Sequence, residues 1–108
     1  MGTPRPEIAA IIARYCVLLE ELGIHVEQAI LYGSHARGEA RDGSDIDVLI
    51  ISSDFATLNM RERLERLGTA AARLWQPIEA LACTSDEVMH VEPATLLDEI
   101  LQTGVRVA

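Results

Sequence analysis

The sequence predicts an α/β fold in which a small mixed β-sheet of three or four strands is flanked by helices. Three observations carry that expectation. Apolar residues recur at helical spacing in separate stretches, short β-rich runs lie between them, and glycine or proline stands near the changes of period. The 108 residues, 49% of them apolar with mean hydropathy +0.17, are expected to form one domain, 1–108. A chain of this size builds one core without disulfides or zinc and leaves no room for a second ordinary domain.

Each element follows from its local pattern. Ile8, Ile11, Ile12, Tyr15, Leu18, Leu19 and Leu22 keep the helical period after an irregular start at Pro4 and Pro6, and Gly23 supplies the stop. Residues 26–32, VEQAILY, read as a strand running into a tight turn at Gly33 and Ser34. A polar, turn-rich stretch leads to residues 45–51, DIDVLII, a second strand buried on both faces over its second half. Met60, Leu64, Leu67, Ala71 and Leu74 mark a further helix, with Arg61, Arg63, Arg66 and Arg73 expected on its solvated faces beside Glu62 and Glu65. Pro77 ends that helix, 78–83 is a third strand, and residues 84–87 resemble a helix N-cap. Pro93 is expected to open a last helix through Leu96, Leu97, Ile100 and Leu101, which Gly104 closes before an edge strand at 105–107.

Composition excludes several function classes. Seventeen acidic residues face nine basic ones, giving a formal charge of -8, so direct nucleic-acid binding is not expected: it relies on clustered cations that displace counterions. All nine cations are arginine, and a P-loop, which needs lysine, is absent. Gly33 and Gly38 have the first spacing of that loop, but Glu39 and Ala40 follow where Lys and Ser or Thr are required. Cys16 and Cys83 are far apart, indicating neither a disulfide framework nor a zinc knuckle. No cationic start with a long apolar stretch begins the chain and no apolar run approaches a membrane span, so a cytoplasmic protein without membrane attachment is expected.

The chemistry concentrates in residues 31–50, LYGSHARGEARDGSDIDVLI. Strand side chains two apart share a face, so Asp45 and Asp47 present two carboxylates together, and hard oxygen ligands of like charge favour Mg²⁺, with Mn²⁺ as the alternative. If the first two strands are antiparallel neighbours, Gly33 and Ser34 lie beside those aspartates. Gly33 then permits close backbone approach, Ser34 offers a hydroxyl, and Arg37 one turn along supplies a forked donor for phosphate. Glu79, at the start of the third strand, comes level with both aspartates if that strand runs parallel to the second, and is the best third carboxylate. Asp42 and Glu39, in the polar loop, are weaker candidates.

Gly33-Ser34, ten residues and then Asp45-x-Asp47, with Ala36-Arg37-Gly38 and Ser44 flanking, resemble the signature of the minimal nucleotidyltransferases within the DNA polymerase beta superfamily. The closing LLDEILQTGVRVA is similar to the way those domains end. The resemblance implies transfer of a nucleoside monophosphate, AMP from ATP or from another NTP, to a hydroxyl with two Mg²⁺ ions. It implies that Gly33, Ser34, Arg37 and Ser44 hold the nucleotide and that Asp45, Asp47 and Glu79 are the catalytic, metal-binding acids. The family more often has Asp at the third place, so Glu79 departs from it by one methylene. Many free-standing members are antitoxins paired with HEPN ribonucleases, some of which they silence by transferring AMP to a tyrosine, and this implies a HEPN-type toxin as partner.

Two other functions compete. One is a binding module of the same fold, catalytically impaired at the third acid, that neutralises a toxin by occlusion. The other is a small-molecule, aminoglycoside-like nucleotidyltransferase, for which an oligomer, homo- or hetero-, would supply the missing wall. Ser34 and His35 do not form a nucleophile and base, since sequence neighbours seldom face each other and no nucleophile elbow is present. His35 is expected to line the nucleotide pocket, His25 and His90 to be structural or surface, Cys16 and Cys83 small buried hydrophobes, and Trp75 and Tyr32 core or interface, with Tyr32 close enough to Gly33 to shape the site. The apolar face of the last helix reads as core, with a partner groove as the alternative.

Overall fold

The computed structural model describes residues 5–108; the expected irregularity at Pro4 falls outside them. Helix α1 spans Pro6–Glu21, with Pro6 inside its first turn and Glu7 beside the positive end of its dipole. Pro6 thus belongs to the helix it was expected to precede. Ile8, Ile12, Tyr15 and Leu19 are its buried stripe, and the Tyr15 hydroxyl donates to the Leu67 carbonyl at 2.9 Å.

Strand β1 (Gln28–Tyr32) is two residues shorter at its start than the β-rich run predicts. It leads directly into the single-turn helix α2 (Ser34–Arg37). Strand β2 (Ile46–Ile51) is followed by a 3-10 turn (Ser53–Thr57) and helix α3 (Met60–Leu74). Strand β3 (Ile78–Cys83), helix α4 (Ser85–Met89), helix α5 (Leu96–Thr103) and strand β4 (Val105–Arg106) complete the order. The sheet runs β3-β2-β1-β4, with β2 and β3 parallel and the other pairs antiparallel. The predicted mixed sheet flanked by helices is therefore what forms.

Strand alternation divides the core. Ala29, Leu31, Val48 and Ile50 pack toward α1 and α3, while Ile30, Leu49, Ile51 and Cys83 pack with Ile100 of α5. Burial on both sides explains the continuous apolar second half of β2. Leu97 and Leu101 pack against the second cluster while Leu96 stays exposed, so the last helix is chiefly a core element.

Several expectations are corrected. The apolar stripe of α3 runs through Leu67, Ala70 and Leu74, whereas Met60 and Leu64 are exposed. The Arg63 side chain, only 12% exposed, turns inward to donate to the Phe55 and Leu58 carbonyls and to pair with Glu87 at 3.0 Å; Arg66 likewise donates to the Leu22 carbonyl. Trp75 is 90% exposed, in the left-handed region that ends α3, so it is not core. Thr95, not Pro93, caps α5, its hydroxyl accepting from the Asp98 N–H. Thr84 caps α4 as predicted, within a reciprocal capping box closed by Glu87. No helix among the described residues is long and apolar enough to cross a membrane.

Candidate active site

The antiparallel register of β1 and β2 sets Tyr32 opposite Asp47, and the parallel register of β2 and β3 sets Asp47 opposite Glu79. One row across the sheet therefore reads Tyr32, Asp47, Glu79. Period-two alternation puts this row on the face opposite Ile46, Val48 and Ile78. The backbone then turns at Gly33, where φ is +75° and ψ -154°, a region open essentially to glycine. A Cβ at Gly33 would overlap the Asp47 Oδ2 and lie 3.2 Å from its Cγ. The missing side chain is what lets the β1-α2 turn close over the Asp47 carboxylate. The Gly33 carbonyl accepts from the Ala36 and Arg37 N–H groups at 3.1 and 3.2 Å, which winds α2 immediately beyond.

Asp45 lies one residue before β2 and is exposed. The tight turn over residues 41–44 holds it off the strand: the Ser44 N–H donates to the Arg41 carbonyl, and the Ser44 hydroxyl accepts from the Arg41 N–H at 2.8 Å. Its charge still reaches the row. Burial first, then the Asp45 carboxylate, push the Asp47 carboxyl above its ordinary range, while Glu79, His35 and Arg37 act in the opposite sense. Tyr32 is likewise raised, by burial and then by Asp47 and Glu79. Arg37 points to Glu39, with Nε 2.7 Å from Oε1, and His35 Nε2 donates to the Ser44 carbonyl at 3.3 Å.

Of the residues expected from sequence, Asp47, Glu79 and Gly33 come together in one place, Asp45 borders it electrostatically, and Ser34 opens α2 beside it. Ser44 is occupied in its own turn and Arg37 in a surface ion pair. Tyr32 was expected as core or interface, close enough to Gly33 to shape the site, and the strand register sets it opposite Asp47. Among the described residues, no set of three or more His, Cys, Asp and Glu side chains is gathered closely enough to hold a metal ion. The donor chemistry nonetheless suits one. Asp47 and its like-charged neighbour Asp45 are hard oxygen donors whose repulsion a divalent cation would relieve, and Glu79 stands opposite Asp47.

Residues 16–89 match the nucleotidyltransferase domain family, and the chain belongs to it. A Methanocaldococcus jannaschii protein named as a candidate protein adenylyltransferase is 34% identical over 44 residues, 41% of this chain and 44% of that protein. The match thus spans less than half the length of this relative. Among solved structures, one described as a toxin-antitoxin with AMP-PNP superposes with a TM-score of 0.64 over 93% of this chain and 72% of that one, at 20% identity. A candidate nucleotidyltransferase from Sulfolobus solfataricus superposes at 0.50 over 85% and 86%, at 23% identity. These likenesses bear out the fold and the family resemblance.

Proposed function

We propose that the chain is a divalent-metal-dependent nucleotidyltransferase that moves AMP from ATP to a hydroxyl of a partner protein, as the antitoxin of a toxin-antitoxin pair with a HEPN-type toxin. The observation that carries the reading is the Asp47-Glu79 pair in register beneath a Gly33 turn that has no room for a side chain. Support for the acceptor class comes from the relative named for protein adenylylation, and for the pairing from the toxin-antitoxin likeness in fold.

In this reading Gly33 and Ser34 receive the triphosphate, with Arg37 swinging from Glu39 to join them and Ser44 shaping the loop. Asp45, Asp47 and Glu79 would hold Mg²⁺, which when bound neutralises charge developing on the phosphates. The acceptor oxygen attacks the α-phosphorus, the bond from that phosphorus to the bridging oxygen breaks, and pyrophosphate leaves with the electron pair. Glu79 takes the acceptor proton.

The test is calorimetric titration of ATP with and without Mg²⁺, followed by intact mass of a copurified partner. Wild type is expected to bind ATP only with Mg²⁺, Asp47→Asn not to bind, and the partner to gain one AMP per transfer. An Asp47→Asn protein that still transfers AMP refutes the assignment. The occlusion reading draws on Asp45, which lies off the strand, so that among the described residues no three carboxylates gather closely enough to hold a metal ion. It is favoured if Glu79→Ala leaves both nucleotide transfer and partner inhibition unchanged while the partner stays bound.

A further inference from the structure

The two flanks of α3 have different surroundings. Toward α1 the helix is closed, with the Tyr15 hydroxyl donating to the Leu67 carbonyl and Arg66 to the Leu22 carbonyl. At the helical period, Leu64, Gly68, Ala71 and Trp75 follow one another down the flank turned away from α1. Leu64, Gly68 and Trp75 are exposed, and Ala71 and Trp75 line a shallow recess that reaches Pro77 at the start of β3. A Cβ at Gly68 would meet nothing within 4 Å. Alanine there would favour the helix by about 1 kcal/mol, so the free helix gains nothing from glycine.

Strand β3 runs beside this flank and is an outer strand of the sheet. The Pro77 and Cys83 carbonyls accept from the Ile46 and Ser52 N–H groups. Residues of odd number in β3 therefore bond to β2, and the N–H and C=O groups of Ala80 and Ala82 point outward. Ala80 and Ala82 pack on the side of α1 and α3, which leaves Leu81 exposed on the opposite face. The charges of the helix flank cancel: its ionised residues are Arg61 and Glu65, 3.9 Å apart. Two chains of formal charge -8 repel over most of their surfaces and least across such a neutral strip. An open strand edge is also complementary to itself about a two-fold axis, which a charged partner of another kind would not need.

We propose that the β3 edge and the outer flank of α3 form a two-fold interface with a second copy of this chain. Antiparallel pairing centred on Leu81 lets Ala80 of each copy bond to Ala82 of the other, so the two sheets become one. The same axis sets the two α3 helices side by side on one face, where Gly68 and Ala71 admit close approach and Leu64 and Trp75 are covered. The two Glu79 residues then stand about 13 Å apart, beyond the roughly 10 Å Debye length of dilute salt. The second copy also lies beside Glu79, where β3 otherwise ends the sheet, and gives the acidic row an outer wall. The interface does not depend on the proposed reaction.

Sedimentation equilibrium of the purified chain tests it. Wild type is expected to be dimeric at about 100 µM. Gly68→Glu puts a charge into the contact at a position where a side chain has open space, and Ala80→Pro removes an outward N–H that β2 does not use. Each is expected to weaken the dimer at least about tenfold with the far-UV circular dichroism unchanged. If Ala80→Pro disturbs the fold, Gly68→Glu decides alone. Wild type that stays monomeric at about 1 mM, or a dimer whose Kd moves less than about twofold in Gly68→Glu, overturns the proposal. A monomeric wild type whose copurified partner is lost in Gly68→Glu overturns it as well, and gives the face to that partner.

Discussion

At Gly33 a backbone angle and a carboxylate compete for one space. Its φ of +75° with ψ of -154° already excludes most side chains, and a methyl group there would overlap the Asp47 carboxylate. Gly33→Ala is therefore expected to cost about 1–3 kcal/mol of stability from strain alone. It should also abolish Mg²⁺-dependent ATP binding, because Asp47 must move to admit the methyl. Urea midpoints and calorimetry on the same samples check both, and full ATP affinity in Gly33→Ala would show that the turn does not define the site. Gly33, Asp47 and Glu79 were legible in the sequence because a turn residue and the two-residue strand period locate side chains without further information. Asp45 was less so. Its spacing from Asp47 is right for a shared face, but β2 starts one residue later, a boundary set by the Arg41-Ser44 turn that periodicity does not reveal.

Helix α3 shows at the scale of an element why a stripe of apolar letters can mislead. Met60 and Leu64 keep the helical period yet stay exposed, because Arg63 occupies the inward position of that turn. Its guanidinium satisfies the Phe55 and Leu58 carbonyls, lies 5.9 Å from the centre of the Phe55 ring, and reaches Glu87 in the capping box of α4. One side chain thus ties the 3-10 turn after β2 to the helix after β3. Sequence patterning counts charged residues as outward because burying a charge is costly unless it is paired, and the pairs here come from segments 5 to 24 residues away. Arg63→Ala is expected to lose about 1–3 kcal/mol, since two carbonyls and a carboxylate lose their donor together. Arg61→Ala, whose side chain is 88% exposed and 3.9 Å from Glu65, should change stability by no more than about 0.5 kcal/mol. Similar denaturant midpoints for the two variants would mean that Arg63 is not a structural tie.

Over the whole molecule the excess of carboxylates splits into two kinds. Glu87 is held below its ordinary range by the Thr84 N–H and then by Arg63, Glu27 by Ser85 and Ser53, and Asp54 by His25. These groups stabilise the fold above the usual carboxylate range, and their contribution is lost as pH falls through their lowered values. Asp47 has the opposite sign: raised by burial and by Asp45, it binds its proton more readily folded than unfolded. Stability therefore declines as pH rises from its ordinary 3.8 through its raised value, and above that the ionised Asp47 is a standing cost. Asp47→Asn should consequently be more stable than wild type at neutral pH, with the difference shrinking as pH falls and vanishing below 3.8. A bound divalent cation should remove the same cost in wild type, because a ligand of the folded state alone stabilises it in proportion to its occupancy. Thermal unfolding in MgCl₂ against NaCl at equal ionic strength separates this effect from general screening of the -8 charge. Wild type is expected to gain more from MgCl₂, and Asp47→Asn to gain equally from both salts. An equal response of wild type to the two salts would show that free protein does not gather a cation at Asp47, leaving the nucleotide to bring the metal with it.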